Sequence, residues 1–326
     1  MIATHGRSFY IMDNISVLRQ LTREMTDEPV VLFRPADATR SITRGVAIDY
    51  YLKAPADKIT IEFLDAQGRS VRTFTGSAEA AKEPSADRPA AEEGDEGFRP
   101  PAPRVDVKAG MNRFTWDMRY AGARDFPGLI MWAGSTRGPI APPGHYTVKL
   151  TAPDGITKTQ ELVIKRNEAV TTVSDADLQA QFALARQISD KLSAADEAVI
   201  RIRAIKDQIS ARLAKTADVK IKTAGDVLAS KLTAIEGEIY QYRNRSSQDP
   251  LNFPIRLNNK LAALQGIVEY GDNRPTDQAY AVFKDLSERL DKQLAALDAL
   301  LKIELAPFNR LLRAKKLEPV TNPARP

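Results

Sequence analysis

The sequence predicts a chain in two halves, an antiparallel β-sandwich followed by a helical bundle of about four helices. Three observations predict it. From 28 to 167 short apolar runs alternate with a period of two and are divided by Gly, Pro and Asp turns. From 173 to 314 the apolar period changes to three and four, the spacing of a helix face. The length of 326 residues suits about two domains.

In chain order, residues 1–21 place Ile2, Phe9, Ile11 and Met12 around a His-Gly-Arg turn and end on the apolar segment Ile15–Leu21. This reads as one or two strands and a helical turn. A lone strand has no stability of its own, so residues 1–27 are expected to begin inside a larger architecture. The sandwich strands follow: Val30–Pro35, Ala47–Leu52, Ile59–Leu64 and its hairpin partner Val71–Phe74 across Asp65–Gly68. Residues 77–103 carry seven acidic residues and five prolines with Phe98 almost alone among large apolar residues, and read as an exposed, disordered insertion. Val105–Val107, Met111–Asp117, His145–Leu150 and Thr159–Ile164 complete about seven strands, the last two joined by an Asp154-Gly155 turn.

The helical half is organised around Asp175–Leu213. Leu178, Phe182, Ala185, Ile188, Leu192, Ala195, Val199, Ile202, Ile209 and Leu213 form its stripe, with Ser174 and Asp175 as caps. Asp196, Glu197, Arg201, Arg203 and Lys206 read as its solvated face. Further helices are expected over 223–242 and 255–270, and from a Thr276 cap to Pro307, which should end or kink the last one. Four helices in one chain can satisfy each other without a coiled-coil dimer. The tail 315–326 reads as flexible.

Composition narrows function by exclusion. There is no cysteine, hence no disulfide, thiolate zinc site or cysteine nucleophile. With His5 and His145 as the two histidines, a histidine metal centre is a poor fit, and no cofactor is expected. A formal charge of +5 without a basic patch or interleaved aromatics does not point to nucleic acid. No apolar run is long enough for a membrane span. The Met1–Arg7 start lacks the pattern of a signal peptide. No Gly-rich phosphate loop or Ser/His/Asp set is present. Asp117 and Asp154 sit at a strand end and a turn; with Asp125 they are the carboxylates a glycosidase reading would need.

Two stretches carry a resemblance. Ile59-Thr-Ile-Glu-Phe-Leu-Asp-Ala-Gln-Gly-Arg-Ser-Val-Arg-Thr-Phe74, Ala109-Gly-Met-Asn-Arg-Phe-Thr-Trp-Asp117 and Pro143-Gly-His-Tyr-Thr-Val-Lys-Leu150 resemble the immunoglobulin-like module of the flagellar hook-capping type. Thr4-His-Gly-Arg-Ser-Phe-Tyr-Ile-Met-Asp-Asn-Ile-Ser-Val-Leu-Arg19 looks like the closing strands of a bacterial BNR-repeat, sortilin-like β-propeller. In such proteins a helical region like that around Pro254–Lys260 and Pro275–Gln278 follows. The resemblance implies an immunoglobulin-like sandwich, a propeller remnant at 1–27, a missing upstream β-propeller as partner, and a periplasmic or extracellular location. Members are often labelled glycosyl hydrolase on the strength of their propeller repeats, but no Asp-box occurs here.

The expected function is therefore a non-catalytic accessory or scaffold region with no catalytic residues of its own. The alternatives are part of a sialidase-like glycoside hydrolase and a carbohydrate-binding module. The residues placed for a protein or glycan ligand, or for an interdomain contact, are Phe126, Met131 and Trp132 in a Gly/Pro-rich loop and Arg256 and Asn259 at a helix start. The apolar character of Phe126–Trp132 favours an interdomain clamp over a wet ligand surface.

Overall fold

The computed structural model describes residues 2–3, 9–10, 15–41, 43–79 and 104–323. The expected insertion therefore lies, from residue 80 onward, outside the described residues. The chain forms two compact units, Met1–Ala121 with Ile140–Gln179, and Gly122–Pro139 with Ala180–Pro326.

The first unit is built of strands. β1 (Ile2–Ala3) pairs antiparallel with β2 (Phe9–Tyr10), and a short helix α1 (Ser16–Gln20) follows. Then come β3 (Val30–Leu32), β4 (Ala38–Thr39), β5 (Val46–Leu52), β6 (Lys58–Leu64), β7 (Ser70–Ser77), β8 (Gly110–Trp116), β9 (Gly144–Thr151) and β10 (Thr157–Lys165). They make a five-stranded sheet in the order β4-β10-β9-β6-β7 and a three-stranded sheet β3-β5-β8. Alternation puts Ile59, Ile61 and Phe63 of β6, Phe114 and Trp116 of β8 and Val148 and Leu150 of β9 into one apolar core. Phe63 stacks on Trp116 with ring centroids 4.0 Å apart, and the Trp116 indole N–H donates to the Arg119 carbonyl. The β6–β7 turn closes because the Asp65 carboxylate accepts from the Gln67 and Arg69 amides and Gly68 takes a positive φ of 75°.

Two strand expectations are corrected. The five-stranded sheet is mixed: β10 pairs parallel with β4, a two-residue strand whose partner lies far along the chain. Residues 105–107 join no ladder, although Val105 and Val107 are buried in the core. There the backbone serves single partners, the Asp106 carbonyl accepting from the Tyr50 hydroxyl and the Val107 carbonyl from the Ala56 amide.

The helices are α2 (Asp175–Leu213), α3 (Val219–Ile239), α4 (Leu257–Val268) and α5 (Asp277–Ala314). α2 starts at the expected Ser174 cap, which closes as a capping box: the Asp177 amide donates to Ser174 Oγ and the Ser174 amide donates back to Asp177 Oδ2. α3 begins four residues before the expected Thr223, because Asp218 accepts from the Lys220 and Ile221 amides and caps it. Thr276 caps α5 as expected.

α5 does not end at Pro307 but runs to Ala314. Proline lacks the amide hydrogen that would bond the Ile303 carbonyl, and its ring crowds that carbonyl. Burial of Leu301, Phe308 and Leu312 on either side of it holds the helix together. Pro307→Ala should restore that bond and raise stability, by up to about 3 kcal/mol. A thermal or urea midpoint that does not rise would show that the proline itself fits this helix.

Candidate functional site

The loop 122–139 lies between two strands in sequence, within the range expected for the sandwich, yet it groups with the helices of the second unit. There it meets α2, α3 and α4 through side chains that reach its backbone. Asn259, 3% exposed on α4, makes a two-point clamp on Trp132. Its Oδ1 accepts from the Trp132 amide at 2.7 Å and its Nδ2 donates to the Trp132 carbonyl at 2.6 Å. A side-chain amide thus pairs with the loop as a neighbouring strand would. Gln265 donates to the Arg137 carbonyl, and the Tyr240 hydroxyl donates to the Gly128 carbonyl and accepts from the Ile130 amide. Gly134 is needed for the approach: a Cβ there would stand 2.8 Å from the Ala262 Cβ.

Phe126 is the buried anchor. Its ring meets Tyr240 edge-to-face at 5.2 Å, and the Arg203 guanidinium lies over both rings at 4.9 and 5.2 Å. Arg203 and Lys206 both donate to Glu236, which is 1% exposed, so this buried carboxylate has two cations to compensate it.

Under the loop sits a second carboxyl. Asp196 is fully buried on α2, although the sequence reading placed it on the solvated face. It is one turn from Leu192 and three residues from Val199, both wholly buried, which is the signal that was available. Its Oδ1 accepts from Asn258 Nδ2 at 3.0 Å while its Oδ2 has no partner. Burial, with the nearby Asp125 carboxylate adding to it, pushes its pKa up to about 7.

The residues singled out from sequence are thus partly assembled. Phe126 is buried, Met131 is half-buried against the same core, and Asn259 is spent on the Trp132 backbone. Trp132 keeps 42% of its surface exposed on a backbone fixed from both sides. Arg256 stands aside from them: it lies next to Glu238 with 3.7 Å between charged atoms, and its Nε has no hydrogen-bond partner. Sequence reasoning missed Asp196, Arg203, Glu236 and Tyr240, whose roles depend on which helices face the loop. Two of the carboxylates a glycosidase reading would need have local partners, and the third lies in a turn. Asp117 takes two hydrogen bonds from Arg72, Asp125 caps its own loop at the Phe126 amide, and Asp154 occupies a turn at φ 60°. His145 is exposed on its strand and contacts Glu161. Among the described residues there is no group of three or more metal-ligating side chains and no helix long and apolar enough to cross a membrane.

Comparison with known proteins gives little to add. No family model matches the chain, and no curated protein does. Among solved structures, the BSP domain of a biofilm-associated protein is 15% identical over 42% of this chain and 15% of its own, with a TM-score of 0.22. Dimeric latent PorU from Porphyromonas gingivalis is 11% identical over 42% of this chain and 9% of its own, with a TM-score of 0.23. CopC from Methylosinus trichosporium OB3b is 12% identical over 42% of this chain and 95% of its own, with a TM-score of 0.22. Likenesses this low carry no argument about function.

Two measurements probe the site. Asn259→Ala removes both bonds to Trp132 and leaves its part-buried backbone groups without that partner, so it should destabilise the second unit by roughly 1–3 kcal/mol and increase amide exchange across 128–134. Asp196 governs a pH effect. Its folded-state pKa lies above the value for an unfolded aspartate, so between about pH 4 and 7 the folded chain holds a proton that the unfolded chain has released. Stability from this group is therefore full at acid pH, falls as pH rises through that window and is flat above it. Asp196→Asn keeps the shape and should flatten this fall; parallel pH profiles for variant and parent would overturn the assignment.

Proposed function

We propose that this chain is a non-catalytic accessory region of a secreted β-propeller protein, an immunoglobulin-like sandwich followed by a helical bundle, which supports the propeller or mediates protein interaction. The observation that carries the reading is the commitment of its polar side chains to structural partners. Asp117 is held by Arg72, Asn259 by the Trp132 backbone and Asp196 by Asn258. A working glycosidase needs two carboxyl groups free to face a sugar from both sides. The immunoglobulin-like part of the reading is supported by Tyr146 on β9, whose hydroxyl donates to the Pro142 carbonyl four residues upstream. That corner is a recurring feature of such sandwiches. The propeller remnant at 1–27 and the periplasmic or extracellular location rest on the sequence resemblance.

A second reading, a carbohydrate- or protein-binding module, is favoured by one observation. The half-exposed Trp132 ring is carried by a backbone that Asn259 has already fixed, so stacking a ligand on it would cost little ordering. Acrylamide quenching in a Trp116→Phe background separates the two. The accessory reading expects strong quenching of Trp132 in this chain and protection in a longer chain that includes the upstream propeller. Equal quenching in both favours the ligand surface. A panel of aryl glycosides tests the enzyme alternative: turnover that disappears in Asp117→Asn or Asp125→Asn overturns the non-catalytic reading.

A further inference from the structure

A small cavity opens between α2 and α5, within the second unit. One face of α2 supplies Ala194, Ala198 and Ala204, and α5 supplies Leu294 and Leu297. Ala198 and Leu297 are buried and make its floor. The alanines leave room where larger side chains would fill the seam. Arg124 of the loop, whose amide donates to Ser193 Oγ, and Pro323 near the chain end also line it. The space is about 120 Å³. A drug-sized site needs roughly 300–1,000 Å³, so this one suits a ligand of few atoms.

Arg124, Arg201 and Glu197 bring charge to its lining. Arg201 is already compensated: its Nη1 donates to Asp298 Oδ1 at 2.8 Å and its Nε to Asn322 Oδ1 at 2.8 Å. Glu197 lies four residues before Arg201 on α2, a spacing at which opposite charges on a helix meet. They do not meet here, because Asp298 and Asn322 turn Arg201 toward α5 and the tail. Among the described residues, Glu197 and Arg124 form no ion pair with each other or with any other side chain. An apolar cavity is thus flanked by a cation and an anion that do not neutralise each other.

We propose that this cavity binds a free α-amino acid with a small branched apolar side chain, its carboxylate on Arg124, its ammonium on Glu197 and its side chain against Leu294 and Leu297. Charge selects this class. A lone anion would be repelled by Glu197 and a lone cation by Arg124. A neutral apolar molecule would strip water from both charges and give them nothing in its place. A zwitterion answers the two at once, and charge-assisted hydrogen bonds to both ends are the strong kind. Arg201 adds a second donor for the carboxylate, since its side chain is 14% exposed and its bonds to Asp298 and Asn322 leave guanidinium N–H groups unused. The cavity holds neither Trp132 nor any carboxylate of the enzyme alternative, so its test leaves the accessory reading untouched.

The experiment titrates the full chain by calorimetry with L-leucine and with two compounds of the same carbon skeleton. Isocaproate lacks the ammonium and isoamylamine lacks the carboxylate. Leucine should bind saturably, and each of the others at least tenfold more weakly. Glu197→Gln should weaken leucine at least fivefold and leave isocaproate no weaker. Arg124→Gln should weaken leucine and isocaproate and leave isoamylamine no weaker. Both positions are at least partly exposed, so circular dichroism and the urea midpoint should match the parent. Ala194→Phe, which fills the cavity, should abolish leucine binding. No saturable binding of leucine at millimolar concentration overturns the proposal. Isocaproate or isoamylamine binding as tightly as leucine overturns it too, since the site is then one for an anion or a cation. So does leucine affinity unchanged in Glu197→Gln and Arg124→Gln.

Discussion

The second unit depends on what surrounds α2. Ile188, Leu192, Ala195, Val199, Ile202 and Ile205 are all wholly buried, and they occupy a broad arc of the helix rather than a narrow seam. One partner helix cannot cover such an arc. α3, α4 and α5 supply the cover together with Ala123 and Phe126 of the loop, and all of these belong to one apolar cluster. Every other feature of the unit follows from that requirement: which helices lie side by side, why a segment bounded by strands is needed among them, and why some polar groups end up with no water.

Those buried polar groups fix how the loop lies. Apolar burial alone is non-directional. Asn259 on Trp132, Asn258 on Asp196 and Gln265 on Arg137 convert general apolar contact into one register, because a shift of a residue would leave each amide unpaired in a dry site. Glu236 does the same between α2 and α3, tied to Arg203 and Lys206 one turn apart. The same logic explains why these residues are poor candidates for chemistry. Asn259 and Asn258 are committed to holding the chain, and Asp196, whose Oδ2 is left unpaired, has no contact with solvent through which to meet a substrate.

Much of this was legible in the sequence where the cause is local. α2 occupies 175–213 as its periodicity and its Ser174 cap predict. The β6–β7 and β9–β10 hairpins follow from alternation and turn residues. What was not legible depends on distant partners. Asp196 has helical spacing from Leu192 and Val199 as a signal of burial, but its partner Asn258 is known only once α4 is seen to lie beside it. β4 is two residues long and is a strand only because β10 runs alongside. Val105 and Val107 alternate like a strand but find no neighbour to pair with. Of the candidate site, the loop's aromatics and Asn259 were legible as types, while their joining was not.

The placement of 122–139 also bears on how the chain is made. The ribosome delivers this loop after β8 and before β9, when no residue of α2, α3 or α4 yet exists. The strand-built unit spans the loop in sequence, so it has to tolerate an unpartnered apolar segment until Asn259 emerges, 127 residues after Trp132. Contacts of such separation form late and slow the search. During that interval Phe126 and Trp132 lack the partners that Tyr240 and Asn259 later supply.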